Sequence, residues 1–267
     1  MDALKELFGR ENPLIGMCHV RALPGRPQHD AAGGIDAVVE GILPDLAALQ
    51  GGGMDGILFC NEFDIPYQLR ADDAVVAGMA AAIGRVRHEV RVPFGVNLLW
   101  DPRATIAVAR ATGASFVREV FTGVFDSDQG LIEPRIGDLM AFRHAIGADD
   151  VAVFTNITPE FSRSLSGRSV AERARGAAFM GVDAILISGF AAGASAEMSD
   201  LTEAKGAVDD VPVIANTGVT HENLLQVLEV ADGAIVGTSL KEGGTTWNPV
   251  DRARVERMVE LAERSRG

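Results

Sequence analysis

The chain predicts an α/β fold built as a single (β/α)8 TIM barrel over residues 1–267. Eight short apolar runs recur along it, at 14–18, 56–60, 94–99, 116–121, 151–157, 184–188, 213–216 and 234–236. They are rich in Val, Ile, Leu and Phe without strict alternation, the pattern of parallel strands covered on both faces. Helical segments with their own start signals lie between the runs, and the runs end in polar or small residues, on the side where such barrels carry their sites.

Taken in order, the first run ends at His19 and opens a loop over 19–34 that holds Leu-Pro-Gly-Arg-Pro and then His29-Asp30-Ala-Ala-Gly-Gly34, a length associated with lids. The second ends in Asn61-Glu62 and continues Phe63-Asp64-Ile-Pro-Tyr67, before a helical pattern over 74–90. The third ends near Asn97, and Asp101-Pro102 reads as an N-cap with a first-turn proline. In the fourth, Val117 and Phe121 share the face toward the helices, which sends Arg118 into the barrel and leaves Glu119 outward or at a strand boundary. A second long loop, 122–135, carries Asp126, Asp128, Gln129 and Glu133 and is a second closing segment.

The fifth run ends at Asn156, and Ser169-Val-Ala-Glu172 is a capping box for the helix that follows. The sixth ends in Ser188-Gly189, the seventh in Asn216-Thr217-Gly218 and the eighth in Gly237-Thr238-Ser239. Asn248-Pro249 precedes a last amphipathic helix over 250–262. No linker, low-complexity tract or charge block divides the chain.

A net charge of −13 leaves little basis for nucleic-acid binding, which rests on clustered Lys and Arg. No run approaches the ~20 apolar residues of a membrane span, and the first residues lack signal-peptide character, so a cytoplasmic protein without membrane insertion is expected. A hydrophobic content of 47% is high for a barrel whose outer helices meet water, which points to a homo-oligomer. Cys18 and Cys60 fall in strands and read as small buried thiols.

Candidate chemistry gathers at the run ends. Ser188, Gly189, Thr217, Gly218, Gly237, Thr238 and Ser239 supply glycines for close backbone approach and hydroxyl donors, the makings of a phosphate site; as plain turn residues they need no ligand. Asn61, Asp64, Asn97, Asn156 and Asn216 are candidates to orient the hydroxyls of a substrate, or else to tie the rim to loop backbone. Glu62 is the candidate general base, against a solvated loop acid; His19 is its helper, against a histidine that only holds a loop; Arg118 is the charge clamp. No His-x-His, His-Glu-x-x-His or cysteine cluster marks a metal site. No cofactor is required, and Mg²⁺ on Glu62, Asp64 or Asp128 with phosphate oxygens stays open. No lysine ends a central strand, and Lys241 is placed toward solvent or the anion.

Four segments carry a family resemblance: Ala-Thr-Gly-Ala-Ser-Phe-Val-Arg118; Phe-Thr-Gly123 with Asp-Gln-Gly-Leu-Ile-Glu133; Ile-Ala-Asn-Thr-Gly-Val219; and Ala-Asp-Gly-Ala-Ile-Val-Gly-Thr-Ser-Leu-Lys241 with Trp-Asn-Pro-Val-Asp251. In these the chain resembles the BtpA/SgcQ family of ribulose-phosphate-binding-type barrels over nearly its full length. Asn61-Glu62-Phe-Asp64-Ile-Pro-Tyr67 and Asn156-Ile-Thr-Pro-Glu-Phe161 look more like its SgcQ-like branch than its BtpA-like one. The resemblance implies a phosphate quadrant at the last strands, with sugar catabolism on one branch and photosystem I biogenesis on the other.

Two function classes follow. One is an isomerase, epimerase or lyase acting on a phosphorylated sugar-like small molecule. The other is a non-catalytic assembly or regulatory barrel. A metal-assisted hydrolase using Glu62, Asp64 and Asp128 is a third reading.

Overall fold

The computed structural model describes residues 3–191 and 193–266; Met1, Asp2, Ala192 and Gly267 lie outside the described residues. A short helix α1 (Ala3–Phe8) leads into β1 (Leu14–His19), α2 (Gly34–Gly51), β2 (Gly56–Cys60), α3 (Asp73–Val86), β3 (Phe94–Asn97), α4 (Pro102–Thr112) and β4 (Phe116–Glu119). Then come β5 (Phe125–Ser127), β6 (Gly130–Ile132), α5 (Ile136–Ala145), β7 (Ala152–Asn156), β8 (Ser162–Ser164), α6 (Val170–Phe179) and β9 (Ala184–Ile187). The chain ends with α7 (Met198–Lys205), β10 (Val213–Ala215), α8 (Leu224–Leu228), β11 (Ala234–Val236) and α9 (Arg252–Arg266).

Eight parallel strands close in the order β1-β2-β3-β4-β7-β9-β10-β11, so the eight runs predicted from sequence are the eight barrel strands. Several stop earlier than predicted. β3 ends at Asn97 and not at 99, and β4 at Glu119 and not at 121. Beyond those points side chains replace the ladder as backbone partners: Leu98 N donates to Thr105 Oγ1, Leu99 N to Asn61 Oδ1 and Phe121 N to Thr155 Oγ1. The local start signals behave as their chemistry dictates. Asp101 accepts from Ala104 N at 2.9 Å with Pro102 opening α4, and both halves of the Ser169–Glu172 capping box are present.

Strand alternation divides the core into two layers. Phe59, Val96, Val117 and Val153 face the helices, while Ile15, Leu58, Phe116, Phe154, Leu186, Ile214 and Ile235 fill the barrel. Phe116 stacks on Phe154 with ring centroids 4.9 Å apart. Gly95 leaves them room, since a Cβ there would lie 2.3 Å from the Phe116 ring. From below, α1 inserts Leu4, and Phe8 meets Phe116 edge-on at 5.6 Å, which closes the N-terminal end of the barrel.

The two long loops are built structures and not free lids. In 19–34, Leu23 N donates to Asp64 Oδ1, buried Arg26 donates to the carbonyls of Asp64 and Pro66, and His29 Nδ1 bonds Ala22 O. The 122–135 segment forms the β5–β6 hairpin, which β8 joins as a three-stranded antiparallel sheet. Beside it Tyr67, Leu69, Trp100, Val120, Phe125 and Ile132 cover the upper side of strands β2 to β4.

Candidate active site

At the C-terminal end a cavity of about 300 Å³ opens over strands β1, β10 and β11. Met17, His19, Glu62, Arg118 and Asn216 form its floor. Thr217, Gly218, Gly237, Thr238 and Ser239 line another part of it with Gly193, Thr220, Glu222, Thr246 and Arg254. Ten residues picked from sequence therefore meet in one space: His19, Glu62, Arg118, Asn216, Thr217, Gly218, Gly237, Thr238 and Ser239 as chosen for the site, and Val219 as part of the resemblance.

Arg118 lies two residues beyond Phe116 on the same strand face, which points it inward as alternation requires. Its guanidinium is held on every side: Nε donates to Asn216 Oδ1 at 3.1 Å, Nη1 to Asn97 Oδ1 at 2.5 Å and Nη2 to Glu160 Oε1 at 2.8 Å. Burial works against its charge, but Glu160 and the other acids around it outweigh that and hold its pKa above the usual value. It is a fixed positive charge under the cavity.

The same network explains why other candidates stay behind the wall. Asn97 spends both ends of its amide on Arg118 and Glu119. Asn156 donates to Ser188 Oγ and Glu160, while its oxygen takes Thr158 N. Ser188 Oγ accepts from both Asn156 and Asn216, and Gly189 N donates to Thr217 Oγ1 at 2.6 Å. Asn61 and Asp64 bond each other at 2.8 Å and use their remaining acceptors on Leu99 N and Leu23 N. These six residues organise the rim and line no part of the cavity.

Burial decides three expectations. Glu119 takes the second of its two expected places: it ends β4, and it is buried there, accepting from Asn97 Nδ2, Trp100 N and Val120 N. Lys241 meets neither solvent nor an anion, because it is 1% exposed and donates to Asp45 Oδ2 at 2.7 Å. The hydrolase set does not gather, since Glu62 lines the cavity while Asp64 is spent on the loop and Asp128 is outside. Among the described residues no group of three or more His, Cys, Asp or Glu is placed to hold a metal.

Glu62 sits at the floor's edge with Tyr67 Oη 3.2 Å from Oε1 and Cys60 Sγ 3.5 Å from Oε2. Burial pushes its carboxyl above the usual range, with Glu160 adding to the rise and Arg118 opposing it. His19 goes the other way: burial first, then Lys241, push it down to about 3, so the imidazole is neutral at physiological pH. A carboxylate tuned upward beside a fixed guanidinium and a neutral imidazole is suited to move a proton while charge develops on a neighbouring oxygen.

The glycines at the ends of the last three barrel strands have two different reasons. A Cβ on Gly218, which has φ +65°, would lie 2.1 Å from Ser195 N, and one on Gly189 would lie 2.2 Å from Ala194 O. At these two positions the backbone that comes close is the chain's own 193–195 segment and not a ligand. Gly237 has no such neighbour; its nearest contacts are Met17 and His19 at 3.3 Å and beyond. The turn it opens, Thr238–Leu240, begins a helical segment whose first N–H groups lack helical partners.

Arg254, Thr246 and Glu160 are the residues that sequence reasoning passed over. Arg254 hides among Arg252 and Arg257 in what reads as a solvated helix start, and Glu160 follows Pro159 in what reads as a loop. The signal for Glu160 was its position four residues past the strand-end Asn156, which it bonds at 3.1 Å.

Comparison with known proteins gives a consistent result. The profile of the BtpA family matches residues 10–264. SgcQ, an sgc region protein of Escherichia coli (strain K12), is 42% identical over 97% of this chain and 97% of its own. The photosystem I biogenesis protein BtpA of Synechocystis is 34% identical, covering 96% of this chain and 90% of its own. Among solved structures, thiamine phosphate pyrophosphorylase from Pyrococcus furiosus aligns with a TM-score of 0.58 at 18% identity, over 96% of this chain and 97% of that one. Phosphoribosyl anthranilate isomerase from Thermus thermophilus gives 0.58 at 13%, over 94% and 98%. At such identities the structural likeness is one of fold, the TIM barrel.

Proposed function

This chain belongs to the BtpA family, and from that premise we propose that it is an enzyme moving a proton next to a carbonyl group of a small phosphorylated, sugar-like molecule, in an isomerisation or epimerisation. The observation that carries this reading is one cavity shared by an upward-tuned carboxylate, Glu62, a fixed guanidinium, Arg118, and the Gly237-Thr238-Ser239 turn. In it Glu62 takes the proton, Arg118 with neutral His19 stabilises the oxyanion that develops, and Asn216, which accepts from Arg118 Nε and donates to Glu160 and Ser188, keeps that guanidinium in place at the substrate's side. Thr217, Gly218, Gly237, Thr238 and Ser239 hold the phosphate. A lyase step would use the same groups.

No bound cofactor enters the reading, and activity is expected to survive a chelator; a loss would move the reading toward Mg²⁺ on Glu62 and phosphate oxygens. A cytoplasmic, self-associating protein fits it: among the described residues no helix is long and apolar enough to cross a membrane, and Phe179 on α6 is 87% exposed. Light scattering of the purified protein tests the association.

The test of function is a thermal-shift screen against sugar phosphates, free sugars, nucleotides and inorganic phosphate. A ligand at about 100 times its Kd stabilises by roughly 2.7 kcal/mol. Sugar-phosphate hits should then be turned over, and Glu62→Gln should abolish turnover while keeping the shift. The second reading, assembly without catalysis, rests on the 34% identity to a photosystem I biogenesis protein. Binding without turnover by any hit would favour it.

A further inference from the structure

We infer that Arg254, from the first turn of α9, is the charged element of a dianion subsite in this cavity, and that the ligand is therefore a phosphomonoester and not a free sugar. The inference rests on the cavity reading given above and adds a residue and a charge requirement to it.

Two arginines line the cavity, and they differ in what their guanidinium groups have left to offer. All three nitrogens of Arg118 are engaged by protein acceptors. Arg254 uses Nε alone, on Ser239 O at 2.7 Å. Among the described residues no carboxylate lies within ion-pair distance of Arg254, in a chain of net charge −13. A surface so rich in acids leaves a guanidinium unpaired at a cavity wall only at a cost, and a ligand anion would remove that cost.

The residue is also held in place before any ligand arrives. Its carbonyl accepts from His221 Nε2 at 2.8 Å, and its Nε bond to Ser239 O fixes the plane of the fork beside the Thr238–Leu240 turn. Gly244, with φ +67°, borders the other side, where a Cβ would be in ordinary contact 3.7 Å from Arg254 Nη2. The two free nitrogens thus join the Thr238 and Ser239 backbone at one end of the cavity, while Glu62, His19 and Arg118 form the floor. A planar fork with two free N–H-bearing nitrogens matches two phosphate oxygens in a way that a lysine or a backbone turn alone does not.

The experiment is isothermal titration of the intact protein with inorganic phosphate at pH 7.5 and low salt, comparing wild type, Arg254→Gln, Arg254→Lys and Arg257→Gln. The inference expects Arg254→Gln to weaken phosphate by tenfold or more, Arg254→Lys to retain part of the affinity, and Arg257→Gln, which does not line the cavity, to bind as wild type. Circular dichroism melting of each variant separates lost binding from lost fold, and Arg254→Lys keeps the test alive should Arg254→Gln not fold. Phosphate affinity unchanged in both Arg254 variants would overturn this subsite while leaving the cavity reading intact. A wild-type protein indifferent to phosphate would overturn both. Arg254-dependent phosphate binding with no turnover of any phosphomonoester would support the subsite and remove the enzyme reading.

Discussion

Replacing Arg118 by Met removes three charge-assisted hydrogen bonds at once, two to amide oxygens and one to Glu160. The side chains of Arg118 and Glu160 are each 9% exposed, so the carboxylate left behind has little water to turn to. Breaking a buried pair from one side costs about 3–5 kcal/mol. With an m-value near the upper end for small domains, roughly 3 kcal/mol/M in urea, the unfolding midpoint should fall by about 1–1.7 M. Glu160→Met should cost less, because Glu62 and Glu119 still face the arginine. The double variant should recover about 1–3 kcal/mol relative to the sum of the singles, since it leaves neither charge alone. Equilibrium urea unfolding of the four proteins at pH 7, followed by circular dichroism, measures this. A cost below 1 kcal/mol for Arg118→Met, or strict additivity, would refute the claim that a closed polar network underlies the cavity.

Other outcomes follow from the same chemistry. Because burial raises the Glu62 pKa in the folded state, the folded protein binds more protons than the unfolded chain between the ordinary carboxylate value and the raised one, and stability falls as pH rises through that window. Glu62→Gln should therefore melt higher than wild type at pH 7, with the gain vanishing below about pH 4.5 in thermal melts at several pH values. His19 is already neutral above its pKa of about 3, so His19→Gln should leave the acid limb of any pH–rate profile where it is. Lys241→Met strands Asp45 beside a buried pair and should cost about 3 kcal/mol or more in urea unfolding. Gly218→Ala meets both a left-handed φ of +65° and the Ser195 backbone at 2.1 Å, and should lower the melting temperature and phosphate affinity together.

The barrel was legible because each strand is a local apolar run with its own turn chemistry, and β11 at Ala234–Val236 matches its sequence boundaries residue for residue. The boundary errors at β3 and β4 have one cause: side chains from distant segments, such as Thr155 and Asn61, take over the backbone partners, and sequence spacing does not record such contacts. The floor of the site was legible for a similar reason as the strands, since His19, Arg118 and Asn216 stand at strand ends with inward parity. Glu119, Asp64 and Ser188 show the limit of that argument. A polar residue at a rim is equally suited to a ligand or to a neighbouring loop, and only three-dimensional partners decide between them. Lys241 was misplaced because its partner Asp45 lies 196 positions away. Arg254 was missed because one helix turn of alternating arginines says nothing of which one faces inward.

The plug that α1 makes with Leu4 and Phe8 has a kinetic meaning. With the lower end stopped by Leu4 and Phe8, the cavity floored by His19, Glu62 and Arg118 lies at the opposite end of the barrel, where Gly193, Gly244 and Thr246 also line it. A ligand in that cavity is approached from the C-terminal end, because α1 closes the other end of the barrel. If the proposed proton transfer takes place there, ligand exchange at that one end is a step able to bound its rate.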